Sequence, residues 1–141
     1  MQEDTSSLPS SSALSANAST KSKRILLVDD EPDVTMSLKM GLEGKGYRVD
    51  VFNEPGQALA NFKVGVYNLL LLDIKMPKMN GFQLYEELEK LDKKVKVCFI
   101  TAFEVYYRSL RELFPQIEID CFIKKPIDTE ELVKRIRAEL Q

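Results

Sequence analysis

The stretch "ILLVDDEPD", residues 25–33, contains the unit from which this fold is built. Four apolar residues, typical of a buried strand, run directly into Asp29 and Asp30, and two further acids follow closely. Pro32 suits the first turn of a helix, because the N–H that proline lacks would have no helical partner there. So many acids close together repel one another unless a positive charge compensates them. The stretch therefore predicts a strand, then a helix, and between them a site that needs a cation.

The alternation of strand and helix continues along the chain from Arg24. Apolar strand-like runs are followed by segments whose apolar residues recur every three or four positions, as in amphipathic helices. The run "YNLLLLD" is apolar on both faces, which is typical of a central parallel strand. Five such units predict an α/β fold with helices on both faces of a parallel sheet. The predicted strands are 24–29, 47–52, 67–73, 95–101 and 117–123, and the predicted helices are 32–46, 55–65, 81–91, 104–114 and 128–140.

Length and composition limit the classes of function. With 141 residues, 44% of them hydrophobic, the chain suits one compact domain with a core. Its net charge of -2 does not predict the basic surface of a nucleic-acid-binding protein, so no nucleic-acid partner is expected. The sequence has no histidine, which excludes a histidine base, ligand or phosphohistidine within it. No apolar run is long enough to span a bilayer, so we expect no membrane contact and a cytoplasmic location.

Two features concern the chain outside the strand ends. Residues 1–23 are rich in serine and contain neither an aromatic residue nor the apolar centre of a secretory signal. They are interpreted as a disordered tail in front of one folded domain, residues 24–141. Cys98 and Cys121 lie in apolar runs without the spacing of a zinc site or a disulfide framework. We expect both to be buried, reduced thiols, as in a reducing cytoplasm.

The residues that end the predicted strands carry the chemistry, because ligands of open parallel sheets bind outside the carboxyl ends of the strands. Carboxylates without histidine or thiolate favour Mg²⁺ as the bound cation, with Mn²⁺ also possible. The first predicted strand ends in Asp29 and Asp30, and the third ends in Asp73. The fourth ends in Thr101, and the fifth ends in Lys124 and Lys125.

Asp73 ends a central strand and is the natural nucleophile for phosphoryl transfer. A metal ion, a lysine ammonium and a threonine hydroxyl would then bind the phosphoryl oxygens. Each part has a plainer interpretation by itself, since an acid pair before a helix also complements the helix dipole. The combination of strand ends favours the phosphoryl site for Lys125, whereas Lys124 is interpreted as a solvated lysine.

Four motifs, "LLVDDEPD", "LLLLDIKMPKMNG", "ITA" and "IKKP", together resemble the receiver domain of two-component response regulators. The resemblance extends from Arg24 to about Gln141. It implies a flavodoxin-like, doubly wound five-stranded sheet in the order 2-1-3-4-5 with five helices. It also implies that Asp73 accepts a phosphoryl group from a sensor histidine kinase or a phosphotransfer protein. Such a domain is a signalling switch, not an enzyme, and its only reactions are Mg²⁺-dependent self-phosphorylation and autodephosphorylation.

The resemblance also implies a set of metal ligands. Asp29 and Asp30 would organise Mg²⁺ together with Asp73, and the backbone carbonyl of Lys75 would be a further ligand.

The remaining roles concern the phosphoryl group and the signalling surface. By resemblance, Lys125 would contact the phosphoryl group, and the Lys125–Pro126 bond would be cis. Thr101 would be the switch hydroxyl that shifts toward the phosphoryl group, and Phe122 would be the switch aromatic. The face formed by the fourth helix, fifth strand and fifth helix would then repack and contact an unidentified effector protein.

Three other functions fit parts of the pattern. A phosphatase with an aspartate nucleophile usually has a second aspartate two residues later, where Lys75 stands here. A nucleotide- or flavin-binding domain needs a glycine-rich loop after the first strand, where the acid pair stands. A degenerate receiver, used only as an interaction module, would lack site residues that are present here. No DNA-binding output domain follows the last predicted helix, so a stand-alone receiver is expected, and a segment cut from a longer regulator stays possible.

Overall fold

The computed structural model describes residues 23–102, 112, 115 and 121–141. Nearly all of the predicted helix 104–114, the start of the last predicted strand and nearly all of the predicted tail lie outside these residues. No helix in the described part is long and apolar enough to cross a bilayer. The described elements are β1 (Arg24–Val28), α1 (Pro32–Glu43), β2 (Arg48–Phe52), α2 (Pro55–Ala60), β3 (Leu69–Asp73), α3 (Gly81–Leu91), β4 (Lys96–Thr101), β5 (Phe122–Lys124) and α4 (Thr129–Glu139).

The five strands form one parallel sheet in the order β2-β1-β3-β4-β5, which confirms the predicted fold class and strand order. The register pairs Asp73 of β3 with Ile100 of β4. It pairs Thr101 of β4 with Lys124 of β5. The carboxyl ends of these strands therefore finish almost level, and their terminal polar residues meet at one edge of the sheet.

Strand β3 is the centre of two hydrophobic layers and is buried at every position. Leu70 and Leu72 belong to a cluster that α2 and α3 cover. Leu69 and Leu71 belong to a second cluster, which α1 and α4 cover. Burial of each leucine side chain stabilises the fold by about 1.5–3 kcal/mol. The acid that follows this run is thereby held on a rigid element.

Helix α2 is shorter than the sequence predicts, because it ends at Ala60 instead of residue 65. Asn61 follows it, and its side-chain amide donates to the carbonyl of Gln57 at 2.8 Å. The chain then turns through Gly65, whose φ of 79° is in the left-handed region that favours glycine. Local side-chain hydrogen bonding therefore ends the helix before the apolar pattern does.

Cys98 and Cys121 are joined by a disulfide bond, so the prediction of two reduced thiols was wrong. Cys98 lies in β4 and Cys121 directly precedes β5, and both are completely buried. The pairing of the two strands places them side by side, since the N–H of Phe99 donates to the carbonyl of Cys121 at 2.9 Å. The spacing of the two cysteines in the sequence does not predict the disulfide bond, because only the register of β4 and β5 brings them together.

An ionic network stabilises the sheet near its amino-terminal edge. Arg24 donates to both carboxylate oxygens of Asp50, from Nε at 3.2 Å and from Nη2 at 3.0 Å. The hydroxyl of Tyr67 donates to Oδ2 of Asp50 at 2.6 Å. Burial raises the pKa of Asp50, but the hydrogen bonds from Arg24 and Tyr67 outweigh burial, so its pKa lies below the usual value.

Replacement of Asp50 by asparagine should make stability less dependent on pH under acid conditions. A carboxyl group whose pKa is lowered by folding contributes its stabilisation above about pH 4 and loses it as the pH falls further. At neutral pH we expect the free energy of unfolding of Asp50→Asn to be about 1–2 kcal/mol lower than that of the wild type. Urea unfolding at neutral pH and near pH 3 measures the difference. An equal difference at both pH values would contradict the interpretation.

Candidate functional site

The structure brings together the three acids that end β1 and β3. One carboxylate oxygen each from Asp29, Asp30 and Asp73 lies within 4.8 Å of the other two. Asp29 is completely buried and Asp73 is only 4% exposed, whereas Asp30 is more open to solvent. Asp29 directly follows β1, and β1 pairs with β3, so the sheet itself places the acids side by side.

Lys125 lies against this acid cluster, as the sequence predicts. Its Nζ atom is 2.9 Å from Oδ2 of Asp29 and 3.7 Å from Oδ2 of Asp73. It also lies 3.1 Å from Oε1 of Glu31. The Lys125–Pro126 bond is cis, which confirms that prediction. One ammonium group faces several carboxylates, so the cluster keeps an excess of negative charge.

The electrostatics of the acid cluster reflect this excess charge. Burial, together with the negative charge of Asp29, raises the pKa of Asp73 to about 7, although Lys125 opposes the shift. Burial also raises the pKa of Asp29 above its usual value. Burial alone would lower the pKa of Lys125, but its contacts with Asp29 and Asp73 raise it above the usual range. Additional positive charge at the cluster would therefore favour the ionised form of Asp73.

A divalent cation with oxygen ligands fits this arrangement. Within the described part of the chain, Oδ2 of Asp29 is buried and accepts no hydrogen bond of good geometry, although Lys125 is close. A cation at the cluster would give this atom a partner and would lower the pKa of Asp73. Three converging carboxylates are ligands of the kind that Mg²⁺ prefers. The backbone carbonyl of Lys75, two residues beyond Asp73, stays a predicted ligand.

Gly81 keeps the backbone of Asp73 in place, and sequence reasoning did not identify it. Its N–H donates to the carbonyl of Ile74 at 2.8 Å. A Cβ atom at this position would overlap the backbone carbonyl of Asp73. Asn80 caps α3 and forms a capping box with Gln83, so the helix begins directly against the strand end.

Thr101 and Phe122 lie where the sequence predicts. Thr101 ends β4, is 5% exposed, and accepts a hydrogen bond on its carbonyl from the N–H of Lys125 at 2.8 Å. Phe122 begins β5, is half-buried, and packs against Phe82 and Phe99 with ring centroids 6.3 and 6.0 Å away. Their switch roles stay predictions. Lys124 is exposed.

Two further residues, Glu31 and Asn53, contact the site, and sequence reasoning assigned neither of them a role. Glu31 donates its backbone N–H to Oδ1 of Asp29 at 3.0 Å, and its carboxylate contacts Lys125. Asn53 donates to the carbonyl of Asp29 at 2.8 Å. Glu31 is an immediate neighbour of the acids in the sequence, but Asn53 reaches them only because β2 pairs with β1.

Comparison with known proteins identifies sequence relatives of this chain. The family described as "Response regulator receiver domain" matches residues 25–137. The transcriptional regulatory protein PcoR of Escherichia coli is 33% identical over 119 residues, which make up 84% of this chain and 52% of PcoR. The chain spans about half the length of the curated relatives it matches.

Solved structures of response regulators also resemble this chain. A CheY-like response regulator receiver domain protein from Methanospirillum hungatei JF-1 is 33% identical, with a TM-score of 0.71, and the match covers 84% of this chain and 93% of that one. The response regulator TrrA from Thermotoga maritima, solved in complex with Mg²⁺ and BeF, is also 33% identical with a TM-score of 0.71. That match covers 83% of this chain and 98% of TrrA.

Proposed function

Because this chain belongs to the response regulator receiver domain family, we propose that it is a phosphorylation-dependent switch of a two-component system. The observation that carries the proposal is the cluster of Asp29, Asp30 and Asp73 with the ammonium group of Lys125 against it. Asp73 is the phosphoryl acceptor in this proposal. The gain of one phosphoryl group that depends on Asp73 and on Mg²⁺ tests it.

The phosphoryl group comes from a phosphohistidine of a sensor histidine kinase or a phosphotransfer protein. A carboxylate oxygen of Asp73 attacks phosphorus, an O–P bond forms, the P–N bond breaks, and the imidazole leaves with the bonding electron pair. Asp29 and Asp30 would hold Mg²⁺, which would supply positive charge to neutralise the phosphoryl oxygens. Lys125, whose Nζ is 3.7 Å from Oδ2 of Asp73, is within reach of a phosphoryl oxygen attached there.

A groove beside Lys125 supports docking of the phosphoryl donor. Its volume is about 480 Å³, and it lies between the first turns of α1 and the segment after β5. A donor protein seated there would approach the edge of the sheet that carries the acids. Its lining includes Asp33, Val34, Ser37, Lys125, Pro126 and Ile127.

Phosphorylation changes the charge that the switch residues face. The modified side chain carries about two negative charges and additional acceptor oxygens. Thr101 and Lys125 turn toward these oxygens, and the ring of Phe122 moves into the space that Thr101 leaves. The phosphoryl group thereby favours one of two packings of the surface around β5, and a downstream effector protein binds that packing better.

Lys125→Ala should slow self-phosphorylation strongly, whereas Lys124→Ala should not. Loss of one preorganised positive donor from a site of charge transfer reduces rates by about 100-fold. The neighbouring Lys124 is exposed and provides a matched control with the same change of charge. The measurement is the rate of mass gain with a small phosphodonor and Mg²⁺, after thermal unfolding has shown that both variants are folded. Equal rates for the two variants would contradict the role of Lys125.

A further inference from the structure

Asn53, in the connection between β2 and α2, joins three elements that meet at the acid cluster. Its Nδ2 atom donates to the carbonyl of Asp29 at 2.8 Å and to Oγ1 of Thr35 at 3.0 Å. Thr35 lies in α1, is 2% exposed, and donates its hydroxyl to the carbonyl of Pro32 at 3.0 Å. One amide group therefore connects the end of β2 with the end of β1 and the first turn of α1.

The carbonyl that Asn53 holds belongs to the peptide unit between the two adjacent acids. The pairing of β1 with β2 ends at Val28, opposite Phe52. Beyond it the N–H of Asp29 makes only a long bond of 3.3 Å to the carbonyl of Phe52, and the Asp29 carbonyl has Asn53 as its donor. The side chains of Asp29 and Asp30 leave the backbone on either side of this peptide. Its orientation therefore decides where both carboxylates lie.

We infer that Asn53 is a positioning residue for the divalent-cation site, because it fixes the Asp29–Asp30 peptide so that both carboxylates converge with Asp73. The inference rests on the proposed function of this acid cluster. Groups that orient metal ligands through hydrogen bonds typically contribute about 10–100-fold to metal affinity. If Asn53 only joined β2 to α1, its loss would reduce stability and leave the Mg²⁺ affinity of the folded protein unchanged.

Three variants and one control separate these two roles. Asn53→Ala removes the donor, and Asn53→Leu removes it at nearly the same size without adding charge. Thr35→Ser keeps the hydroxyl that Asn53 contacts. Asn61→Ala is the matched control, because the amide of Asn61 also donates to a backbone carbonyl, that of Gln57 at 2.8 Å, but at the exposed end of α2.

The experiment is calorimetric titration of each protein with Mg²⁺, at a temperature where thermal unfolding in EDTA shows it to be folded. We expect both Asn53 variants to bind Mg²⁺ at least about tenfold more weakly than wild type. Thr35→Ser and Asn61→Ala should bind it as wild type does. If Asn53→Ala does not fold, the Mg²⁺ affinity of Asn53→Leu is compared with that of the wild type instead.

The outcomes distinguish the inference from the function on which it rests. Wild-type affinity in both Asn53 variants, with or without a lower unfolding temperature, overturns the positioning role and leaves the proposed function intact. An equal loss of affinity in Asn61→Ala also overturns it, since the effect would then not be specific to Asn53. A folded wild-type protein that binds no Mg²⁺ overturns both.

Discussion

Asp73→Asn protein incubated with Mg²⁺ and a small phosphodonor should gain no mass, whereas the wild type should gain one phosphoryl group per chain. The amide has nearly the shape of the carboxylate but lacks the anionic oxygen that attacks phosphorus. Asp29 and Asp30 also offer carboxylates within 4.8 Å, but as the proposed ligands of Mg²⁺ they should not replace Asp73 as acceptor. Intact-mass spectrometry of the two proteins after the same incubation measures the difference.

Two controls make this result specific. A chelator should abolish the gain in the wild type, because the acid cluster would then lose its compensating cation. Asp92→Asn changes a carboxylate at the opposite end of α3, where it accepts the N–H of Gly65 at 2.9 Å, and should be phosphorylated as the wild type is. A folded wild type that gains no mass would favour an interaction module, and a mass gain in Asp73→Asn would place the acceptor elsewhere.

Gly81→Ala should be strongly destabilising. The new Cβ atom would overlap the backbone carbonyl of Asp73, and β3 is too well packed to move freely. Overpacking of this kind costs about 3 kcal/mol of unfolding free energy. Displacement of the Asp73 backbone should also slow self-phosphorylation in the protein that remains folded. Denaturant unfolding measures the first effect, and the rate of mass gain measures the second.

Gly56→Ala is the matched control for the effect at Gly81. It adds the same methyl group near the start of a helix, but no atom lies within 4 Å of the added Cβ. Its stability should equal that of the wild type or exceed it by about 0.4–1 kcal/mol, because alanine restricts the unfolded chain. A similar loss of stability in both glycine variants would show that the effect does not depend on contact with the backbone of Asp73.

Most of the candidate site could be predicted because its residues end apolar runs. In an alternating chain, each strand is followed by a helix that returns to the opposite edge, so all strands point the same way. Asp29, Asp73, Thr101 and Lys125 therefore meet at one edge wherever the exact strand limits lie. The prediction needed only the order of the runs and the residue at the end of each.

The parts that could not be predicted depend on contacts across the fold. The Cys98–Cys121 disulfide follows from the register of two neighbouring strands. Asn53 reaches the carbonyl of Asp29 because β2 lies beside β1. No periodic pattern marks such residues, since their partners are distant in the sequence and their side chains are not part of a repeating face.

By itself the sequence determined the α/β class, the strand ends and the acids that converge there, since hydrophobic periodicity and chain polarity act locally and repeat in each unit. Only the tertiary structure decided the close contact between Gly81 and Asp73, the amide that holds the acid pair, and the pairing of the two cysteines. Those features depend on the register and spacing of elements that are distant in the sequence, and packing of the whole core sets both.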